Sequence, residues 1–436
     1  MTSFDADIAS PRILLVLFCS LNLLIFLDRG AISSNGVNSD GIQRDFEPTL
    51  FQDGLLPSAF MVGLLLSSPV FATLSTKHSP MRLIGYGLGV WALAVFLCGC
   101  SPSFWSLVVC RMAVGIGEAS FVALASPFID DAAPDEKKSL WLGMFYCCIP
   151  VGYACGFLYG GVVAAVVGWR GAFILESLFM IPFIVYCFRI DANMVHERRD
   201  ETREKTVVTT VKEGVGLFWT HHIFLLTSLG MTCYTGVIGS YAYYGPDAAK
   251  QLFGVSSKTA DVSFSVMTVL TGILGTFTGG YILDAVGSSI RNGMVLCFAS
   301  MVIAACIIAV AFLISSQFLV FCIVFSLGEF LLFATQAPGN ALILWSVPHE
   351  HRPLAVSMSV VCMHLLGDVP GPPLMGLMEG VIGSWRYTMA LAALVIALGG
   401  IFYGIGIRVA RGAVDFRLVR PEEQHDAEED GLLNPQ

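Results

Sequence analysis

Four long stretches of this chain contain no Asp, Glu, Lys or Arg: Leu83–Cys110, Ser139–Trp169, Gly214–Pro246 and Asn292–Gly328, of 28, 31, 33 and 37 residues. A helix that crosses a bilayer needs about 20 mostly apolar residues. Each run exceeds that, and similar runs recur from one end of the sequence to the other. Of the 436 residues, 55% are apolar and only 13% are charged, against about 25% charged in an ordinary soluble domain. The chain is therefore read as an all-α polytopic membrane protein. That composition excludes a soluble enzyme, a secreted disulfide scaffold and a nucleic-acid binder. A transmembrane β-barrel would show alternating segments of roughly ten residues, and none is found.

The net charge of −9 has a local origin, because six acids fall between Glu422 and Asp430. It points to no charged partner. The thirteen cysteines all lie in apolar stretches, with no CxxC and no Cys/His cluster. They are expected to be small apolar filler, not metal ligands or disulfides. No catalytic triad or metal constellation is present, so the expectation is a non-enzyme with no metal and no bound cofactor.

Charge and Pro/Gly clusters divide the apolar sequence into twelve predicted spans, near 12–35, 51–75, 82–101, 103–130, 138–165, 168–190, 219–244, 259–283, 292–314, 317–345, 352–378 and 385–410. The run Ile13–Leu27 continues into Asp28-Arg29 without a small-residue cleavage pattern, so it reads as a first span and not a signal peptide. The expected organisation is an N-terminal segment 1–11, a six-helix half 12–190, a hydrophilic loop 191–218, a second half 219–410 and an acidic tail 411–436. With both termini in the cytoplasm, 17 of the 24 Lys and Arg fall on the cytoplasmic side, five fall opposite, and Arg29 and Arg111 fall inside spans. This bias predicts that orientation.

An internal repeat organises the spans. Gly117-Glu118 recurs as Gly328-Glu329, Ala133-Pro134 as Val347-Pro348, and Trp169-Arg170 as Trp385-Arg386, at offsets of 211, 214 and 216. Three anchors at nearly constant offset predict two six-helix halves in parallel orientation. Repeats of this kind place a substrate site at their interface, near mid-membrane.

Charges inside spans are costly and mark function by default. Asp28 and Arg29 fall deep in span 1. As neighbours on a helix they point about 100° apart, so each needs a partner elsewhere. Arg111 and Glu118 fall on one face of span 4, roughly 10 Å apart along the axis. The expectation is that Asp28 pairs with Arg111 in one conformation, which leaves Arg29 and Glu118 for a substrate head group and a proton. The alternative is a fixed ion network that only holds the two helices together. Glu329, the repeat mate of Glu118, is either a structural residue or a site residue. Glu176 is either interfacial or a cavity residue. His364 and Asp368, one turn apart, either pair locally or use His364 as a proton relay. Glycines spaced four apart, Gly152-x3-Gly156-x3-Gly160-Gly161 and Gly367-x3-Gly371, predict close helix approach, as static packing or as a sliding seam.

Twelve spans in two parallel halves resemble the major facilitator superfamily. Gly280-x3-Asp284-x2-Gly287-x3-Arg291 resembles its loop signature, whose Asp and Arg form a conformational latch. Ala285 replaces the usual basic residue, and the first-half copy Thr76–Arg82 lacks both Gly and Asp. Within the superfamily, Leu27-Asp28-Arg29-Gly30, Asp53-Gly54 and Cys110-Arg111-Met112-Ala113-Val114-Gly115-Ile116-Gly117-Glu118 resemble the plant-like sphingolipid-transporter branch of the Spinster family. The resemblance implies a secondary transporter of amphipathic lipids, sphingolipid or lysophospholipid, driven by a proton gradient through Asp28, Arg29, Arg111 and Glu118. It implies work by alternating access, in a monomer, at late endosomes or lysosomes or at the plasma membrane. Glu428-x3-Leu432-Leu433 resembles an acidic dileucine sorting signal, which implies a sorting adaptor as partner; a solvated tail is the alternative. An organic-anion or sugar-acid carrier fits the same cavity arginines, and a lipid sensor that does not transport is the reading from another class.

Overall fold

The computed structural model describes residues 11–75, 78–132, 138–189, 207–412 and 414–417. Their regular structure is helical: α1 (Pro11–Ser33), α2 (Leu50–Leu74), α3 (Pro80–Gly99), α4 (Phe104–Ala132), α5 (Lys138–Arg189), α6 (Val207–Thr220), α7 (His222–Phe253), α8 (Ser257–Ala285), α9 (Ile290–Ile314), α10 (Phe318–Phe333), α11 (Gln336–Trp345), α12 (Arg352–Met363), α13 (Gly371–Ile382) and α14 (Trp385–Val409). Local chemistry sets several ends. Thr49 and Gln52 form a capping box at the start of α2. Ser289 caps α9, and Pro80 opens α3, where its missing N–H costs nothing.

Eleven of these helical segments are long and apolar enough to cross a membrane. One of them, Gly143–Arg189, has 47 residues, about 70 Å of helix at 1.5 Å per residue. That is more than twice the ~30 Å hydrocarbon core. It breaks at Gly168, whose φ of 76° is open to glycine, into arms over 138–167 and 169–189. Counted as two, it brings the crossings among the described residues to twelve. The all-helical architecture expected from the sequence is the one observed among the described residues.

The chain forms two compact units. The first takes Met1–Arg203, Ser240–Val269 and Pro372–Gly383; the second takes Glu204–Gly239, Leu270–Gly371 and Ser384–Gln436. In the first, close helix approach depends on glycine. A Cβ on Gly30 of α1 would meet the Tyr153 carbonyl of α5, and one on Gly156 of α5 would meet the Leu27 carbonyl of α1. Gly63 of α2 and Gly115 of α4 stand in the same relation to Met112 and Phe60. These backbones touch over their small residues, which fixes how α1 and α4 are rotated about their axes.

In the second unit, Leu217, Phe224, Ile343, Val347 and Ala355 form a buried cluster. Gly328 packs against Ile308 of α9, much as Gly117 of α4 packs against Trp91 of α3. The two Gly-Glu repeats therefore sit equivalently in their own units. No disulfide joins any of the thirteen cysteines, and no His, Cys, Asp and Glu grouping able to hold a metal occurs among the described residues.

The Gly156→Val chain should lose thermal stability in detergent by about 1–3 kcal/mol, because the added methyls force the α1–α5 seam apart. Gly89→Ala, at a position with open space around it, should melt at or above the parent temperature. Equal melting of both variants would refute the seam.

Candidate functional site

In the first unit, α1 and α4 bring four charges together. Arg111 Nη1 donates to Asp28 Oδ1 at 2.8 Å, and Arg29 Nη2 donates to Glu118 Oε1. The helical offset between Asp28 and Arg29 aims them at different points on α4, and the seven-residue spacing of Arg111 and Glu118 puts a partner at each. The first pair is the one anticipated from the sequence. The second pair was not anticipated: Arg29 and Glu118 are bonded to each other, since two buried charges of opposite sign are far costlier apart than joined.

Burial separates the roles of these groups. Asp28 and Glu118 have no exposed side-chain surface, Arg111 has 1%, and Arg29 has 11%. Phe60 of α2 presents its ring to both guanidiniums, 4.6 Å from Arg29 and 5.5 Å from Arg111, and Phe26 stands 4.5 Å from Arg29. Such contacts stabilise a cation without neutralising it. Asp28 Oδ2, Arg111 Nε and Glu118 Oε2 are buried without a hydrogen-bond partner. The cluster thus keeps spare acceptor and donor capacity beside aromatic surface, which is what an anionic or zwitterionic head group and an apolar tail require.

Glu176, on the second arm of α5, is 1% exposed, and neither carboxyl oxygen has a partner. It lies within electrostatic reach of Asp28 and Arg111. Its side chain thus faces the protein interior. Trp169 and Phe173 of the same arm are buried as well.

The remaining sequence candidates fall in the second unit. Glu329 on α10 accepts from Thr271 Oγ1 at 3.0 Å. His364 and Asp368 form a local pair at 2.5 Å, across a single π turn between α12 and α13. Gly287, at φ 87°, turns the chain between α8 and α9. Asp284 accepts from Ser288 at 2.8 Å, and no ion pair joins it to Arg291 among the described residues. Gly280 faces Ala337. Arg417 occupies that turn instead: it donates to the Ser288 carbonyl at 2.7 Å and lies 3.8 Å over the Trp345 ring. Glu428, Leu432 and Leu433 lie outside the described residues.

A second polar group in the first unit escaped sequence reasoning. The connection 34–49 donates from Asn35 N and Nδ2 to Asp261 Oδ1 of α8 at 2.9 and 3.0 Å. Asn38 and Gln43 donate to Asp53 Oδ2 of α2 at 3.2 and 3.0 Å. Pro57 has no N–H for the Asp53 carbonyl one turn earlier, and the Tyr243 hydroxyl of α7 lies 3.1 Å from that carbonyl and from Asp53 Oδ1. Asp40 accepts from Lys250 at 2.6 Å and from Ser257 at 2.5 Å. Trp169 Nε1 donates to Asp45 at 2.9 Å, and Arg170 bonds the same carboxylate. These two partners hold Asp45 below its ordinary pKa. The anchor therefore stands at neutral and mildly acidic pH and is lost only as pH falls through that lowered value. Asp53 and Asp261 stand within a few residues of a span end, where a charge is ordinary. The proline four residues after Asp53 was the available signal.

Residues 18–338 match the profile described as "Major Facilitator Superfamily", and residues 315–380 match that of the "Organic Anion Transporter Polypeptide (OATP) family". A protein of Arabidopsis thaliana described as "Probable sphingolipid transporter spinster homolog 2" is 42% identical over 424 residues, covering 91% of this chain and 87% of its own. The chain belongs to the Spinster family of the major facilitator superfamily. Spinster homolog 3 of the same plant is 40% identical over 440 residues, covering 91% and 85%. The fold of this Spinster protein matches the crystal structure of a bacterial homolog to the human lysosomal transporter Spinster, in an inward-facing and unoccupied conformation. The TM-score is 0.79 at 16% identity, over 94% of this chain and 98% of that one. This Spinster protein is a multi-pass membrane transporter, not an enzyme.

Asp28→Asn should cost about 3–5 kcal/mol by leaving Arg111 buried and unpaired. The double variant Asp28→Asn with Arg111→Gln should cost clearly less than the two single variants summed, read as melting in detergent. Additive losses would show that the pair carries no coupling.

Proposed function

We propose that this Spinster protein is a proton-coupled carrier of amphipathic lipids, sphingolipids or lysophospholipids, working by alternating access. The observation that carries this reading is the Asp28, Arg29, Arg111 and Glu118 cluster with Phe26 and Phe60 against its guanidiniums. Arg29, the most exposed of the four charges, would take the anionic part of the head group. Glu118 and Asp28, each holding one unpartnered oxygen, would take up and release the proton. The relatives named for sphingolipid transport support the cargo.

Both termini are proposed to be cytoplasmic, on the strength of the Lys and Arg bias. The 34–49 connection, with the ends of α7 and α8 bonded to it, would then be the gate on the luminal or outer side. The tail motif Glu428, Leu432 and Leu433 would bind a sorting adaptor and hold the protein in late endosomes or lysosomes. Changing both leucines to Ala should then shift it to the cell surface, and unchanged targeting would remove that assignment. The match of residues 315–380 to the organic-anion transporter profile favours a second reading, a carrier of smaller organic anions.

The full chain reconstituted in proteoliposomes should take up a labelled lysolipid, and a pH gradient should accelerate that uptake. Movement of small organic anions without lipid would establish the second reading. Lipid binding without flux would leave only a sensor.

A further inference from the structure

The buried cluster holds one carboxyl more than it can neutralise. Arg29 and Arg111 pair with Glu118 and Asp28, Glu176 stands near Asp28 and Arg111, and all three acids are 1% exposed or less. Glu118 and Asp28 each hold a guanidinium, whereas Glu176 holds nothing through either oxygen. An ionised carboxylate buried without a donor costs several kcal/mol; the neutral acid avoids that cost. Charge balance therefore calls for a single proton in this cluster, and Glu176 is where it is cheapest to keep.

The groups around Glu176 leave few alternatives. Asp28 from α1 and Arg111 from α4 are the charged ones. Tyr159 from the first arm of α5 also faces it, but the Tyr159 hydroxyl is engaged by the Ala172 carbonyl at 2.7 Å. Cys98 of α3 is buried beside Asp28 and Arg111. Arg111 spends one donor on Asp28, and its Nε is unpartnered. A guanidinium has five N–H donors in a planar fork, so Arg111 has donors to spare beyond the one on Asp28.

We propose that Glu176 is the proton store of this transporter and the second anionic partner of Arg111. The inference rests on the proton-coupled reading above and deepens it. The proton leaves the Glu176 carboxyl and is taken by the Asp28 carboxylate, so that Glu176 becomes the anion and Asp28 the neutral acid. Arg111 then turns its fork from α1 to the second arm of α5. The cluster keeps its net charge throughout, and the Asp28–Arg111 bond between α1 and α4 is released. Asp28 would act on lipid movement through this exchange, and Glu176 is a positioning and proton-holding residue that touches no lipid.

The test uses the full chain in proteoliposomes, with labelled lysolipid as probe. Glu176→Gln fixes the neutral state in nearly the same shape. It should retain lysolipid binding but lose the acceleration by a pH gradient, and a carboxylic-acid infrared band of the parent should disappear with it. Glu176→Asp should keep gradient dependence with a shifted pH midpoint. Gradient stimulation as large in Glu176→Gln as in the parent, or an infrared band that persists, would overturn the inference. If Glu176→Gln does not fold, Glu176→Asp decides: an unshifted midpoint and an unshifted band refute it. A parent protein that moves lipid with no gradient dependence at all would overturn the proton-coupled reading itself. That outcome is distinct from a gradient-dependent parent with an indifferent Glu176→Gln.

Discussion

Two guanidiniums held against two carboxylates in a water-poor interior set the terms for everything around them. Neither pair is tolerable if broken, since a lone buried charge costs more than the pair gains. The Asp28–Arg111 and Arg29–Glu118 bonds therefore demand a fixed rotation of α1 against α4. The glycines supply it: Gly30 and Gly156 bring α1 onto α5, and Gly63 and Gly115 bring α2 onto α4. The α2–α4 contact also sets Phe60 between the two arginines. Small residues on the seams and large charges in the middle are two sides of one arrangement.

The 34–49 connection does for one end of the first unit what the ion pairs do for its middle. It is short and polar, yet it reaches α2, α5, α7 and α8 through Asn35, Asn38, Asp40, Gln43 and Asp45. Most of its bonds end on carboxylates, and charge-assisted bonds are the strong kind. The bond of Tyr243 to the carbonyl that Pro57 leaves bare ties the same end to a helix defect in α2.

Much of the fold could be read from the sequence because membranes punish charge. Runs free of Asp, Glu, Lys and Arg marked the crossings, and the glycine at 168 stood where two predicted spans met and where the backbone breaks. The Gly-Glu and Trp-Arg repeats named residues that occupy equivalent places. The four central charges were legible as exceptions to the same rule. Pairing was legible only in part: four charges on two helices can combine in more than one way, and helix rotation decides. Glu176 stayed open between an interfacial and a cavity role, because position along the chain does not show which way a side chain faces. Asp53 and Asp261 were hidden because a charge near a helix end signals nothing until its tertiary partners are known.

In the proposed mechanism the charged cluster links lipid movement to proton movement. The most direct measurement follows protons themselves, with a pH-sensitive dye sealed inside proteoliposomes while unlabelled lysolipid is added outside at equal pH. A lipid-dependent proton flux is expected in the parent protein and absent in Asp28→Asn. Lipid entering with no accompanying change in internal pH would contradict the central claim.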